Sequence, residues 1–256
     1  MKFGVSVYIP NRNHASTLSA AIHSAVREMP LEVAVIDDAS TDDSVAVAQL
    51  ASLTWDCVWY RDNAEKAPCW EQKAAEEFAS FGGSHVIGLS ADDELYPGVV
   101  QSTMRHPQAA VVFHSYMVRK PGQSVHGGVP VPFLGVKAMT AGEACSHLMS
   151  DALPCETGIG SAIRHDWLKW LCDLEYWRMG PWADAIGYAS VAAKAGCVYS
   201  QEVGAIFTED DAGYGVTIRN GPDSSRYMVE VWAFLKRAEV PADVAAALCR
   251  KRGVHA

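Results

Sequence analysis

Short β-type runs alternate with helical patterns through residues 1–118, and this alternation limits the possible fold more than any other feature. The β-type runs lie at residues 3–9, 32–36, 56–60, 85–89 and 109–118. The helical patterns between them lie at residues 15–28, 42–52, 68–81 and 97–106. Such alternation is typical of βαβ units, in which a helix connects two parallel strands. It predicts an α/β fold with a mainly parallel central sheet flanked by helices.

The second half of the sequence continues with shorter elements. Residues 120–135 are rich in Gly and Pro, so regular structure is expected to pause there. The patterns beyond them predict an extended piece at 158–163, short strands near 197–208, and helices near 140–150, 165–172, 184–195, 225–237 and 241–251. We therefore divide the chain into a first half, 1–118, a second half of the same domain, 119–224, and a C-terminal helical extension, 225–256.

Composition limits the classes of function. The chain has 256 residues, 49% of them hydrophobic, which is enough for the core of one large domain. Its formal charge is −9, and its basic residues form no patch for nucleic acid. Seven cysteines without a C-x-x-C pair, and no signal peptide at the start, predict a cytoplasmic protein with reduced thiols. No apolar run approaches the roughly 20 residues that cross a bilayer, so any membrane contact is expected to be peripheral, at the inner face.

Polar and acidic residues follow three of the predicted strands. Residues 10–13, PNRN, follow the first strand, the aspartates at 37 and 38 follow the second, and the acidic run at 92–94 follows the fourth. Parallel sheets bind ligands outside the carboxyl ends of their strands. The sequence therefore predicts a ligand site where these three segments meet.

The acidic run Asp92, Asp93 and Glu94 predicts a bound cation. Like charges this close raise each other's pKa and cost stability unless positive charge or hydrogen-bond donors compensate. The sequence has neither a Gly-rich dinucleotide turn nor a P-loop, so a phosphate group would have to be met through a divalent cation. Mg²⁺ and Mn²⁺ favour oxygen ligands and bridge carboxylates to phosphates.

Structural alternatives exist for both acidic segments. The run at 92–94 could be a solvated turn that caps the helix after Pro97. Asp37 and Asp38 could belong to an Asp-rich turn that leads into the second helix. That helix is expected to start with a capping box at residues 40–43, STDD.

Four segments resemble, in order and spacing, signatures of family 2 glycosyltransferases with a GT-A fold. They are VSVYIPNRNHASTLSAAIHSAV, LEVAVIDDASTDDS, HVIGLSADDELYPG and, for the catalytic base, GPWADAIGYASVAAKAG. The resemblance implies metal-dependent, inverting transfer of a sugar from a nucleotide diphosphate sugar in a single displacement, and UDP is the family's most frequent nucleotide. It implies a glycan or lipid-linked acceptor, in the synthesis of surface polysaccharide or another glycan, and it makes residues 1–118 the half that binds the nucleotide sugar.

The resemblance also assigns roles to the residues that follow the first two strands. Asp38 would contact the base of the nucleotide, with Asp37 beside it. Pro10, Asn11 and Arg12 would line the same pocket. Many members have an aromatic residue near Arg12, so its guanidinium plane is expected to stack on the base instead.

The remaining roles fall on the acidic run and on the helix near 184–195. Asp92 and Asp93 would form the metal element with Mn²⁺ or Mg²⁺, with Asp93 the favoured direct ligand and Asp92 also placed against the nucleotide. Asp184 would be the base that takes a proton from the acceptor hydroxyl. Many members have Glu-Asp at this point, whereas residue 183 is Ala here. As an alternative, Asp184 could cap the helix that follows.

Acceptor contacts are expected from aromatic and acidic residues of the second half. Trp177 and Trp182 lie in a predicted loop and could pack against a sugar ring, and Glu156 could face the acceptor. Trp167 and Trp170 lie three residues apart, which is helical spacing, so we expect both to be buried.

Two questions stay open from the sequence. Residues 208–215, TEDDAGYG, could form a mobile lid over a diphosphate or an ordinary surface loop. The chain could also be a non-catalytic nucleotide-sugar-binding or scaffold protein on the same fold, because it departs from the family pattern at Arg12 and Ala183. A sugar nucleotidyltransferase is disfavoured, since no Gly- and Arg-rich loop follows the first strand.

Overall fold

The computed structural model describes residues 2–63, 65, 76–78, 80–120, 125, 135–150, 158, 160–209 and 224–251. Some sequence predictions concern other residues. Most of the helix predicted at 68–81, the acceptor candidate Glu156, and most of the segment 208–215 lie outside the described residues.

The first half alternates strands and helices as the sequence predicts. Its strands are β1 (Lys2–Asn11), β2 (Glu32–Asp37), β3 (Val58–Asp62), β4 (Gly83–Gly88), β5 (Glu94–Leu95) and β6 (Val111–Arg119). Its helices are α1 (Ala15–Arg27), α2 (Ser44–Thr54) and α3 (Val99–Met104). The five predicted strands are confirmed, whereas the short strand β5 was not predicted, because two residues carry no periodicity.

The second half adds three strands and five α-helices in the described part of the chain. The strands are β7 (Val136–Met139), β8 (Ala162–Arg164) and β9 (Cys197–Thr208). The helices are α4 (Ala141–Met149), α5 (His165–Asp173), α6 (Ala183–Ala195), α7 (Ser224–Arg237) and α8 (Ala242–Lys251), and a 3-10 helix (Tyr176–Trp182) precedes α6. In the ranges that the structure describes, every helix is too short or too polar to cross a bilayer.

The described strands form one mixed sheet. Its order is β3-β2-β1-β4-β8-β6-β9-β5, and β7 also pairs with β9. β1 to β4 pair in parallel, and so do β6 and β9. β8 is antiparallel to β4 and β6, while β5 and β7 are antiparallel to β9. The predicted parallel sheet therefore holds for the first half, and the reversed strand β8 joins it to a second parallel pair.

Successive strand residues point to opposite faces of the sheet, and the core follows this alternation. On one face, apolar residues of β1 and β2 pack with α1, α2 and α3; they are Val5, Val7, Ile9, Val33 and Val35. On the other face, Ala34 and Ile36 belong to a cluster that draws apolar side chains from α4 to α8. Phe234 of α7 and Leu248 of α8 are buried in this cluster, so the C-terminal helices complete the core.

The capping box predicted before α2 is wrong. The cap residue of α2 is Asp43, which makes no side-chain cap hydrogen bond. Asp42 instead connects the two helices: its Oδ2 accepts the N–H of Ala15, the first residue of α1, at 2.9 Å, and its Oδ1 accepts the N–H of Ser44, the first residue of α2, at 3.0 Å. A capping box opens α4 instead, where the Thr140 hydroxyl accepts the N–H of Glu143 and the Glu143 carboxylate accepts the N–H of Thr140.

The loop predicted around Trp177 and Trp182 is also wrong, since both lie in the 3-10 helix. Gly180 interrupts this helix with non-helical dihedrals, φ 54° and ψ −126°, and Pro181 follows it. A Cβ at Gly180 would lie 2.5 Å from the ring of Tyr227, so the close approach of α7 requires glycine here. In a sequence, a Gly-Pro pair is typical of a turn outside helices. In the structure, helical turns lie on both sides of it.

Candidate active site

Most of the predicted site residues meet at one end of the sheet. β1, β2, β3 and β4 run in the same direction, and so do β6 and β9, so their carboxyl ends share one end of the sheet. We call this the carboxyl end. β8 runs in the opposite direction and starts there, because its first residue, Ala162, pairs with Ile87 near the end of β4.

Asp37 connects the end of β1 to the turn that follows β2. Its Oδ1 accepts hydrogen bonds from the Asn11 amide and the Ser40 hydroxyl, both at 2.6 Å, and its Oδ2 accepts the N–H of Ser40 at 2.8 Å. Asp37 is 1% exposed. The predicted Asp-rich turn is therefore present at Asp37, and both of its carboxylate oxygens already have protein partners.

Asp38 lies beside Asp37 but points to a different neighbour. Its Oδ2 lies 4.0 Å from Nη1 of Arg12, whose side chain is 40% exposed. The N–H of Asp38 donates to the carbonyl of Asn11 at 2.9 Å, which fixes the ends of β1 and β2 side by side. Pro10, in register with Ile36, is half-buried in the same region. The structure thus brings together Asp38, Arg12 and Pro10, as the sequence predicts.

Asn63 at the end of β3 completes this group and was missed from the sequence. Its N–H donates to the carbonyl of Asp37 at 3.2 Å, one position beyond the paired residues Asp37 and Asp62. Its side-chain Nδ2 is buried and has no hydrogen-bond partner among the described residues. Inspection of the third strand end, by the rule used for the other three, would have found it.

The acidic run at 92–94 is tied to β6 and β9. Asp93 is 1% exposed, and its Oδ1 accepts the N–H of Thr208 at 2.7 Å. Glu94 accepts a hydrogen bond from Arg119 at 2.7 Å, which supplies one of the positive charges that the sequence predicts. The alternative of a turn that caps the following helix is wrong, because α3 has Gly98 as its cap and no side-chain cap hydrogen bond.

The acidic run also fits a divalent cation. Burial and the nearby Asp92 carboxylate raise the pKa of Asp93 to about 8. Its Oδ2 is buried without a hydrogen-bond partner among the described residues. Among these residues, no three His, Cys, Asp or Glu side chains come close enough to hold a metal ion by themselves. Mg²⁺ commonly binds through one or two carboxylates and completes its shell with phosphate and water, so two aspartates suffice.

Asp184 lies in the first turn of α6 and is bonded to the segment that leads into β8. Its Oδ2 accepts the N–H of Gly158 at 2.7 Å, and its Oδ1 accepts the N–H of Ala185 at 2.7 Å. Because β8 starts at the carboxyl end, the hydrogen bond to Gly158 places Asp184 near that end. The helix cap is Trp182, without a side-chain cap hydrogen bond, so Asp184 is not the cap that the alternative required.

Two buried tyrosines lie near Asp184. Burial raises the pKa of Tyr176 and of Tyr188 well above the usual value, and the nearby Tyr8 and Asp184 act in the same direction. Both phenols therefore stay neutral. Tyr188 follows Asp184 by four residues on α6, which puts them on one helix face, and this spacing could have identified it from the sequence.

The tryptophans differ in exposure. Trp182 is 3% exposed and packs at 6.5 Å from the ring of Tyr227, and this burial does not fit a ring that contacts a sugar. Trp177 is half-buried against the core cluster. Trp167 and Trp170 are half-buried rather than fully buried and pack on the same cluster.

Comparison with known sequences identifies the family. The sequence model of the family described as glycosyl transferase family 2 matches residues 6–170. The chain belongs to glycosyl transferase family 2. This family 2 chain is 36% identical to the succinoglycan biosynthesis protein ExoU of Rhizobium meliloti (strain 1021) over 99 residues, which cover 37% of the chain. The matched part spans only 28% of the length of ExoU.

Two solved structures share the fold of this family 2 chain. S. aureus TarS 1-349, in complex with UDP-GlcNAc, has a TM-score of 0.72 at 14% identity and covers 100% of this chain and 72% of its own. The mannosyltransferase PcManGT of Pyrobaculum calidifontis, in complex with GDP-Man and Mn²⁺, has a TM-score of 0.54 at 15% identity, with 100% and 77% covered. The GT-A fold predicted from the sequence is confirmed, and the glycosyltransferase class is confirmed at the level of the family.

Proposed function

We propose that the chain is a metal-dependent, inverting glycosyltransferase that moves a sugar from a nucleotide diphosphate sugar, with a UDP-sugar as the favoured donor, to an acceptor hydroxyl. The observation that carries the proposal is the convergence of Asp38, the acidic run and Asp184 on the carboxyl end of one sheet. Family membership supports the reaction class. Bound UDP-GlcNAc in TarS supports a UDP-sugar donor.

Asp184 would act as the general base. A carboxylate has about four acceptor positions, and backbone N–H groups occupy one on each oxygen of Asp184. With respect to the described residues, each oxygen thus keeps a position for the proton of an acceptor hydroxyl. The two N–H bonds also fix the carboxylate, which favours attack at a defined angle on the anomeric carbon.

Asp92 and Asp93 would hold Mn²⁺ or Mg²⁺ against the diphosphate. Asp93 offers Oδ2, which has no hydrogen-bond partner in the part of the chain that the structure describes, and the half-buried Asp92 offers the more accessible carboxylate. A bound cation would stabilise the negative charge that develops on the departing nucleoside diphosphate. The Mn²⁺ in the PcManGT complex supports this assignment.

Asp38, with Arg12 and Pro10 beside it, would bind the nucleotide. The acceptor is expected to be a glycan or a lipid-linked sugar, and the role of ExoU in succinoglycan biosynthesis supports polysaccharide synthesis. On this assignment the enzyme works in the cytoplasm, with peripheral membrane contact where the acceptor is lipid-linked.

The first test of this function is calorimetric titration of UDP and then GDP into the protein, with and without Mn²⁺. We expect UDP to bind only with Mn²⁺, and Asp93→Asn to weaken binding because it removes a negative charge from the cation site. Binding that is indifferent to metal would remove the role proposed for the acidic run.

The second test separates an enzyme from a scaffold. Asp184→Asn should abolish hydrolysis or transfer of the donor sugar while donor affinity is retained. Asp166→Asn is a matched control, because Asp166 takes the same position in the first turn of α5 and its Oδ1 also accepts the following N–H, at 3.0 Å. Donor binding without turnover in the unmodified protein would favour the scaffold.

A further inference from the structure

Thr208, the last residue of β9, makes two hydrogen bonds to the acidic run. Its N–H donates to Oδ1 of Asp93 at 2.7 Å, and its hydroxyl donates to the backbone carbonyl of Asp92 at 2.7 Å. The two partners lie more than a hundred residues earlier in the chain. Thr208 thus fixes both the side chain of Asp93 and the peptide group between Asp92 and Asp93.

Neighbouring contacts hold the ends of β6 and β9 against the same turn. Glu94 and Leu95 pair with Ile206 and Ala205 of β9. Arg119, which binds the Glu94 carboxylate, pairs in register with Thr208. These contacts fix the turn on the side that follows Asp93. The Thr208 hydroxyl instead donates to the carbonyl of Asp92, the residue before Asp93. Loss of that hydroxyl would leave the Asp92–Asp93 peptide group with the weaker hold of one hydrogen bond, from the Asp93 N–H to the Ser90 carbonyl at 3.0 Å, while the rest of the turn stays anchored.

We propose that Thr208 is a positioning residue that sets the orientation of Asp92 and Asp93 toward the cation and the diphosphate. Its N–H takes one acceptor position of Oδ1 of Asp93 and so fixes the carboxylate, whose Oδ2 has no hydrogen-bond partner among the described residues. Its hydroxyl fixes the peptide from which the Asp92 side chain extends. The inference rests on the proposed function, because it assigns Thr208 a task within the same donor site.

The test compares three variants by the Mn²⁺ dependence of UDP binding. Thr208→Val keeps the β-branched shape and the N–H but removes the hydroxyl, and we expect Mn²⁺-linked UDP affinity to fall about five-fold, as for loss of one hydrogen bond. Thr208→Ser restores the hydroxyl and should restore the affinity. Thr54→Val is the control, because the Thr54 hydroxyl also donates to a backbone carbonyl, that of Leu50, at 2.7 Å, far from the site at the end of α2.

A second readout separates positioning from a general loss of structure. The electron paramagnetic resonance spectrum of bound Mn²⁺ should change in Thr208→Val and match the unmodified protein in Thr208→Ser and Thr54→Val. If Thr208→Val does not fold, Thr208→Ala takes its place with the same expectations. Equal UDP affinity and an unchanged Mn²⁺ spectrum would overturn the role of Thr208 alone. Absence of Mn²⁺-linked UDP binding in the unmodified protein would instead overturn the proposed function, and this inference with it.

Discussion

Two adjacent aspartates at the end of β2 have different side-chain partners. Asp37 uses both carboxylate oxygens on Asn11 and Ser40, whereas Asp38 lies near the exposed Arg12. The sequence located the pair but placed both on the nucleotide side of the site. It could not separate them, because the Asn11 amide reaches Asp37 only after β1 and β2 have paired, whereas the Ser40 donors are local to the turn.

The role of Asp184 can be tested by adding one methyl group to the neighbouring Gly158. A Cβ at Gly158 would lie 2.9 Å from Cβ of Asp184 and 3.0 Å from its Oδ2, so alanine must displace the carboxylate. We expect Gly158→Ala to lower turnover at least about ten-fold, since misplaced catalytic groups cost this much or more. UDP affinity, measured by calorimetry, should stay the same.

The control for that experiment is Gly142→Ala. A Cβ at Gly142 meets no atom within 4 Å, and the residue lies in the first turn of α4. Turnover should be unaffected there. An equal loss of turnover in both variants would contradict the assignment of Asp184 as the base.

Substitution of Asn63 tests nucleotide binding, because it is expected to change UDP affinity without lowering the free energy of unfolding. The buried Nδ2 of Asn63 has no partner among the described residues, so Asn63→Ala removes a donor that makes no hydrogen bond to them. If this donor serves the nucleotide, UDP affinity should fall about five-fold while the free energy of unfolding in urea stays unchanged or rises. Lower stability with unchanged affinity would show that the amide is structural.

At the scale of elements, the start of a helix can be tested at a position where the sequence prediction was wrong. The capping box lies at Thr140 and Glu143 of α4, whereas Asp43 before α2 makes no cap bond. Thr140→Ala should lower the free energy of unfolding by about 1 kcal/mol, measured in urea. Asp43→Ala should change it by less than half as much. The reverse order would mean that α2 depends on its cap and α4 does not.

The helices and strands that the sequence predicts best are those with a strong local pattern. α1, α2 and the five long strands of the first half carry apolar periodicity, and they form where it predicts. β5 and β8 are two and three residues long and exist through their pairing with β9, β4 and β6. Such strands are defined by long-range partners, which a reading along the chain does not contain.

For the whole molecule, buried histidines make stability depend on pH. Burial lowers the pKa of His114 to about 4, from the usual 6.5, although the nearby Glu202 raises it; His106 and Arg105 lower it further. Burial also lowers the pKa of His85. A folded-state pKa below the unfolded value means that the unfolded chain binds more protons. The contribution to stability is therefore complete above about pH 6.5 and is lost as the pH falls toward 4.

Urea unfolding at pH 7.5, 6 and 5 measures this effect. We expect His114→Gln to reduce the dependence of the free energy of unfolding on pH by up to about 1 kcal/mol per pH unit between pH 6 and 5. The difference between the two proteins isolates His114 from other titrating groups. Identical slopes would mean that His114 binds protons equally in both states. Because Nδ1 and Nε2 of His114 contact Gly160 and Ser102, the variant is expected to be less stable at every pH.

The candidate site as a whole could be located from the sequence, but its internal contacts could not. The rule that parallel strands bind ligands beyond their carboxyl ends placed Asp38, Asp92 and Asp93 together, and family resemblance added Asp184. Thr208 and Gly158, which hold these carboxylates, follow no motif. Each donates a backbone N–H that any residue type carries, and a single threonine hydroxyl or a single glycine is too common in sequences to give a signal.

The bond between Asp93 and Thr208 joins residues that are 115 positions apart, and it closes the acidic run with the last strand of the sheet. A ribosome releases the first four strands long before it releases β9. During that interval the nascent chain can assemble Asp37 and Asp38 on β1 and β2, but the carboxylates at 92 and 93 have no donor from β9. The hydrogen bond that fixes the Asp93 carboxylate can therefore form only after β9 has been synthesised, later than the contacts that fix Asp37.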